Sequence, residues 1–203
     1  MKCYQCGNED ERYFAYDKGV YYCRKCVAFG RMDAYEKKES CHLSTRVIEV
    51  SPQLKYELTD KQKAISHKIV EYLKQKKDVF VYAATGAGKT ESVFECICFY
   101  LSQGKKVGFA ISRRQVVLEI AQRLRQAFPT LHIVEVTQGY TTITDGDIIV
   151  CTMHQLYRYP DGFDLLIMDE VDAFPYVGND VLQTITRRAC KGQRVLLSAT
   201  PDE

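Results

Sequence analysis

Two Cys-x-x-Cys pairs, Cys3-x-x-Cys6 and Cys23-x-x-Cys26, stand sixteen residues apart near the start of the chain. A two-residue spacer turns both sulfurs of a pair toward one point, and two pairs supply the four thiolates of a tetrahedral Zn²⁺ site. Four thiolates leave no open position, so the zinc predicted here is structural. Further along, VFVYAATGAGKTES (residues 79–92) runs from a buried strand into Thr85-Gly86-Ala87-Gly88-Lys89-Thr90 and then a helix. Small residues let backbone N–H groups close on phosphates, Lys89 reaches the β and γ phosphates, and the Thr90 hydroxyl holds Mg²⁺. In DLLIMDEVDAF (residues 164–174) an apolar run delivers Asp169 and Glu170 to its carboxyl end. There Asp169 can hold the Mg²⁺ shell and Glu170 can orient and deprotonate a water, so the pair suits hydrolysis of a bound nucleotide and not only its binding.

These groups need a scaffold that brings strand ends together. From Thr59 onward, short apolar runs recur at Val79–Ala84, Val107–Ile111, Ile133–Val136, Ile148–Cys151, Leu165–Met168 and Val195–Leu197. Continuous apolar runs of this length read as strands buried on both faces. Between several of them lies helical periodicity: Ile65, Ile69, Tyr72 and Leu73, then Val93, Phe94, Ile97, Cys98 and Leu101, then Val116, Val117, Ile120 and Leu124. The fold class is α/β with a mainly parallel sheet flanked by helices, which places ligands at the carboxyl ends of the strands. Residues 1–45 have no long apolar period and form the zinc domain. Residues 46–58, strand-like but broken by Pro52, form a linker, and residues 59–203 form the α/β lobe.

Composition bounds the function. With 46% hydrophobic and 27% charged residues the chain is an ordinary globular protein, and a net charge of +2 is too small to signal nucleic-acid binding by itself. No stretch reaches the ~20 apolar residues of a membrane span and the first residues lack a signal-peptide core, so a cytoplasmic protein is expected. Of nine cysteines, Cys96, Cys98, Cys151 and Cys190 fall inside predicted elements and read as free, partly buried thiols, while Cys41 beside His42 belongs to no pair.

Several positions carry two readings each. Thr59-x-x-Gln62 is a helix capping box, a role that needs no ligand and does not preclude one. Ser112-Arg113-Arg114 and Thr152-Met153-His154-Gln155 each follow a strand and open a helix, so Arg113, Arg114 and Thr152 suit the phosphates of a nucleic-acid strand or simply start helices. Tyr4, Tyr13, Tyr16, Tyr21 and Tyr22 among Arg24, Lys25, Arg31 and Lys37 could stack bases or serve as a substitute core.

The Thr-Gly-x-Gly-Lys-Thr loop and the Asp-Glu-Val-Asp box resemble those of superfamily 2 helicases and translocases, although Ala83 stands where the strict phosphate-loop pattern has glycine. Cysteine pairs ahead of the motor, ATGAGKTE, ISRRQVVLE, DEVDAFPY and LLSAT together resemble the N-terminal half of the late-competence DNA-uptake ATPases of Gram-positive bacteria. In replication-restart helicases, by contrast, the zinc-binding cysteines follow the ATP-binding motifs. The resemblance spans nearly the whole chain. It implies a RecA-like lobe and an ATPase stimulated by single-stranded DNA, at the inner face of the cell membrane. Its partners would be the DNA-uptake channel and other late-competence proteins, with a homo-oligomer left open. By the same resemblance Gln62 reads adenine, Arg113, Arg114 and Thr152 line the DNA track, and Asp172, Ser198 and Thr200 couple nucleotide state to DNA. A second lobe that supplies an arginine finger is absent from the sequence, so the chain is expected to hydrolyse ATP poorly alone. The alternative is a zinc-containing DNA-binding or assembly module without its own turnover.

Overall fold

The computed structural model describes residues 1–37, 39–83, 88–138, 143–172 and 176–199. Its first part is small. A hairpin of β1 (Phe14–Asp17) and β2 (Val20–Cys23), antiparallel with Phe14 opposite Cys23, lies between short 3₁₀ turns at Glu11–Tyr13 and Arg24–Phe29. Among the described residues the four paired cysteines, Phe14 and Met32 form its own buried cluster, while Phe29 packs into the core of the larger part. Tyr13, Tyr16 and Tyr21 do not serve as a substitute core, being 42%, 64% and 47% exposed, whereas Tyr4 and Tyr22 are half-buried.

The larger part alternates helix and strand: α1 (Asp60–Lys74), β3 (Val79–Tyr82), α2 (Lys89–Ser92), α3 (Phe94–Leu101), β4 (Val107–Ile111), α4 (Arg114–Ala127), β5 (Ile133–Val136), β6 (Ile148–Thr152), β7 (Phe163–Asp169), α5 (Asp180–Ala189) and β8 (Cys190–Ser198). The six strands from β3 to β8 form one parallel sheet in the order β3-β8-β7-β4-β6-β5. β4 and β6 are buried at every residue, as the unbroken apolar runs require, whereas edge strand β3 alternates, burying Val79 and Val81 and exposing Phe80 and Tyr82. One face packs on α1, α3 and α4 through Ile69, Ile97, Phe109, Ile120 and Ile167. The other packs through Ile149, Leu166 and Met168 on Leu156, Leu182 and Ile185.

Three elements depart from the sequence reading. β8 is longer than Val195–Leu197, because polar residues before it still pair: Gln193 lies opposite Leu165, and Arg194 sits opposite Leu166 and forks to Asp78. α5, capped by the Asn179 carboxamide accepting from the Leu182 N–H at 2.9 Å, carries no signal that the sequence reading used. Residues 46–58 form no strand. They are a strap laid over the lobe, with Ile48 N–H donating to the Leu101 carbonyl and Gln53 N–H to that of Ala127. Ahead of it, Ser44 donates to Asp145 and Arg46 forks to Asp147. The free-thiol reading holds: Cys96 and Cys151 are fully buried, Cys98 and Cys190 partly so, and Cys41 packs with its N–H on the Pro160 carbonyl. Among the described residues, no helix is long and apolar enough to cross a membrane.

Candidate functional site

The parallel register decides which side chains meet. β3 ends at Tyr82, and the Ala83 N–H donates to the Ser198 carbonyl at 3.2 Å, which ties the chain entering the phosphate loop to β8. Thr85, Gly86 and Ala87 lie outside the described residues, as does Thr200. Gly88 caps α2 in a left-handed conformation (φ 76°, ψ 36°), and a Cβ there would stand 2.3 Å from Nε2 of Gln62. Only glycine fits this conformation without strain while the Gln62 amide lies against the loop. Gln62 is also the N3 residue of a complete capping box, accepting from the Thr59 N–H at 2.9 Å. Both readings of Gln62 are therefore compatible with one placement. Lys89 opens α2 half-exposed, and Thr90 follows it, 5% exposed.

β7 carries Asp169 and Glu170 to the same edge. Asp169 is 8% exposed and accepts the Glu170 N–H at 2.9 Å. Burial pushes its carboxyl above the usual range, an effect opposed by that hydrogen bond and by the Lys89 charge and increased by Asp172. The Asp169 carboxylate and the Thr90 hydroxyl, which line one cleft, are hard oxygen donors of the kind a divalent cation takes. Glu170 has φ 57°, a conformation uncommon outside glycine, of the kind found where a site holds backbone strain. Its Oε2 is buried without a hydrogen bond and pairs ionically with Arg113 Nε at 3.7 Å.

Gly88, Lys89, Thr90, Asp169, Glu170 and Asp172 line one cleft of about 480 Å³. A second, of about 500 Å³, shares Gly88, Glu91 and Arg123 with the first and extends past Gln62 to Tyr56. Tyr56, Glu91 and Arg123 were not singled out from sequence: Arg123 lies on the exposed side of α4, where a basic residue reads as ordinary solvation. Ser198 is fully buried, and the neighbouring Leu197 carbonyl accepts the Val171 N–H at 3.4 Å, joining β8 to the acidic box.

Arg113 and Arg114 are exposed at the start of α4. Thr152 is not exposed with them: it is 9% accessible, opposite Ile111 in the sheet. The turn after it is a 3₁₀ helix (Met153–Arg158) rather than an α-helix, with Gln155 buried and the His154 ring stacked on Phe29 at 5.5 Å. That stretch packs mainly on α5 and β6 and also meets the cysteine module through His154.

The Sγ atoms of Cys3, Cys6, Cys23 and Cys26 lie within 4.8 Å of one another, all buried. Cys3 to Cys26 is 3.6 Å and Cys6 to Cys23 is 3.7 Å. Sulfurs bound to one Zn²⁺ at about 2.3 Å would stand about 3.8 Å apart, so the cluster fits such an ion. Hydrogen bonds from Cys26 and Cys6 lower the Cys3 thiol to about 2, while the same contact with Cys3 raises Cys26. Around the cluster, Lys25 lies over the Tyr13 ring at 4.1 Å and Arg31 over Tyr22 at 4.6 Å.

Residues 55–203 match the family model of the type III restriction enzyme res subunit. Competence protein ComFA of Bacillus subtilis (strain 168) is 36% identical, over 98% of this chain and 45% of that protein. Competence protein ComFA of Streptococcus pneumoniae (strain ATCC BAA-255 / R6) is 33% identical, over 90% and 42%. The chain spans less than half the length of these relatives. The SWI2/SNF2 ATPase core of Sulfolobus solfataricus, solved with dsDNA, is similar at a TM-score of 0.62 over 76% of this chain and 34% of its own, with 18% identity, a likeness of fold.

Proposed function

Since the chain belongs to the type III restriction enzyme res subunit family, we propose that it is the first RecA-like lobe of an ATP-driven, single-stranded DNA translocase that serves DNA uptake in competence. One observation carries the reading: Lys89, Thr90, Asp169 and Glu170, far apart in sequence, line one cleft at the strand ends. ATP and Mg²⁺ would supply the phosphoryl group and the cation that neutralises its charge. Lys89 would meet the phosphate oxygens, together with Thr85, Gly86, Ala87 and Gly88 of the loop. The Thr90 hydroxyl and Asp169 carboxylate would hold the cation, and Glu170 would accept the proton of the attacking water. Gln62, at the junction of the two clefts, would meet the adenine. Asp172, Ser198 and Thr200 would report nucleotide state to the DNA track, where Arg113 and Arg114 would meet phosphates. Buried Thr152 would act there only through its backbone.

Residues 1–45 would be a structural zinc domain held by Cys3, Cys6, Cys23 and Cys26, residues 46–58 the connection, and residues 59–203 the lobe. The two relatives named as competence proteins support the competence role. The place at the cytoplasmic face of the membrane beside the uptake channel is part of the proposal and rests on the resemblance of the motifs. Thermal unfolding with saturating ATP and Mg²⁺ tests the cleft. Ligand at a hundredfold its Kd stabilises by about 2.7 kcal/mol, a rise of roughly 5–10 °C for a domain of this size. Lys89→Ala is expected to abolish that rise, and an unchanged rise in the variant refutes the assignment.

A further inference from the structure

β4 and β7 are neighbours in register, with Ile111 opposite Asp169. The residues just past these strand ends are therefore neighbours too, and this is how Arg113, from the turn into α4, reaches Glu170. Its Nε stands 3.7 Å from Glu170 Oε2, the carboxylate oxygen that is buried without a hydrogen bond. The Arg113 side chain itself is 68% exposed, so the guanidinium can meet an outside anion without unfolding anything.

We infer that Arg113 is a positioning residue: it engages the Glu170 carboxylate when no nucleic acid is bound, and a backbone phosphate of the nucleic acid competes with Glu170 for the same guanidinium. The inference rests on the proposed roles of Glu170 in water activation and Arg113 in phosphate contact, and adds how the two are linked. A guanidinium offers a planar fork of donors, and phosphate takes it bidentately at shorter distance than the 3.7 Å ionic contact seen here. Binding of a strand would then release Glu170 to turn toward the water. Reciprocity requires the converse, that removing the Glu170 charge makes Arg113 more available to phosphate.

The test is a double-mutant cycle on single-stranded DNA affinity, read by fluorescence anisotropy with a labelled oligothymidylate at fixed low salt, using the wild-type chain, E170Q, R113A and the double variant. E170Q is expected to tighten binding about threefold, the size of a partly exposed ion pair. In the R113A background the same change is expected to do nothing, while Arg113→Lys, which keeps the charge but not the fork, retains part of the effect. Equal tightening in both backgrounds would mean a general loss of negative charge and would overturn the inference, as would no effect of E170Q in either. No binding by the wild-type chain would overturn the nucleic-acid reading and this inference with it. Binding without coupling would overturn the inference alone.

Discussion

Asp169 is a carboxylate whose burial works against its charge, and the sign of its effect on stability follows. Its folded pKa lies above the ordinary aspartate value because of desolvation. Its charge therefore costs stability as pH rises from the ordinary value through the folded one, and the cost is absent below both. Asp169→Asn is expected to raise the melting temperature at neutral pH while abolishing Mg²⁺-dependent nucleotide stabilisation. A fall in melting temperature would show that the charge is a structural asset. That Lys89, Thr90, Asp169 and Glu170 meet at one cleft was legible in the sequence, because strand, loop and residue type all agree there. The pairing of Arg113 with Glu170 was not, since it depends on the register of Ile111 with Asp169, and register is a property of two strands.

Among the elements, the strands were legible and the strap was not. Continuous apolar runs locate β4, β5 and β6 almost to the residue, but residues 46–58 alternate like a strand and form none, since their N–H groups pair with the ends of α3 and α4. α5 escaped notice because its apolar face of Leu182, Ile185 and Ala189 is short and the helix carries Thr184 and Thr186, which lower helix propensity. The strap's start is secured by Asp145, which accepts from Ser44 and from Lys106 Nζ at 2.9 Å. Burial raises the Asp145 carboxyl, but the Ser44 and Lys106 contacts outweigh it and bring it down to about 2. Its contribution is fully present above the ordinary aspartate value and is lost as pH falls toward 2. Lys106 is 2% exposed, so Asp145→Ala leaves a buried ammonium without its carboxylate partner, bonded to the Gly146 carbonyl. The expected loss is about 1–3 kcal/mol, roughly 3–10 °C in melting temperature. A change below about 1 °C would show that the network is incidental.

At the scale of the whole molecule, the cysteine module and the lobe are packed together: Phe29 stacks on His154, and Val181 of α5 borders the cysteine core. Because the module's own buried cluster among the described residues is four thiols, Phe14 and Met32, its folding should depend on the metal. Protein purified without added zinc is expected to carry one Zn²⁺ per chain, and Cys23→Ala to lose it. Unchanged metal content in that variant would disprove the four-thiolate site. The Cys-x-x-Cys spacing made the clustering of the four cysteines legible, but nothing in it indicated that the module would rest on α5 and the turn after β6. The account as a whole rests on an ATP-driven nucleic-acid motor. Its most direct test is steady-state ATP turnover by the full-length protein with and without single-stranded DNA. Turnover that rises with DNA and vanishes in Lys89→Ala and Glu170→Gln is the predicted result. Turnover indifferent to DNA, or surviving in either variant, would contradict it.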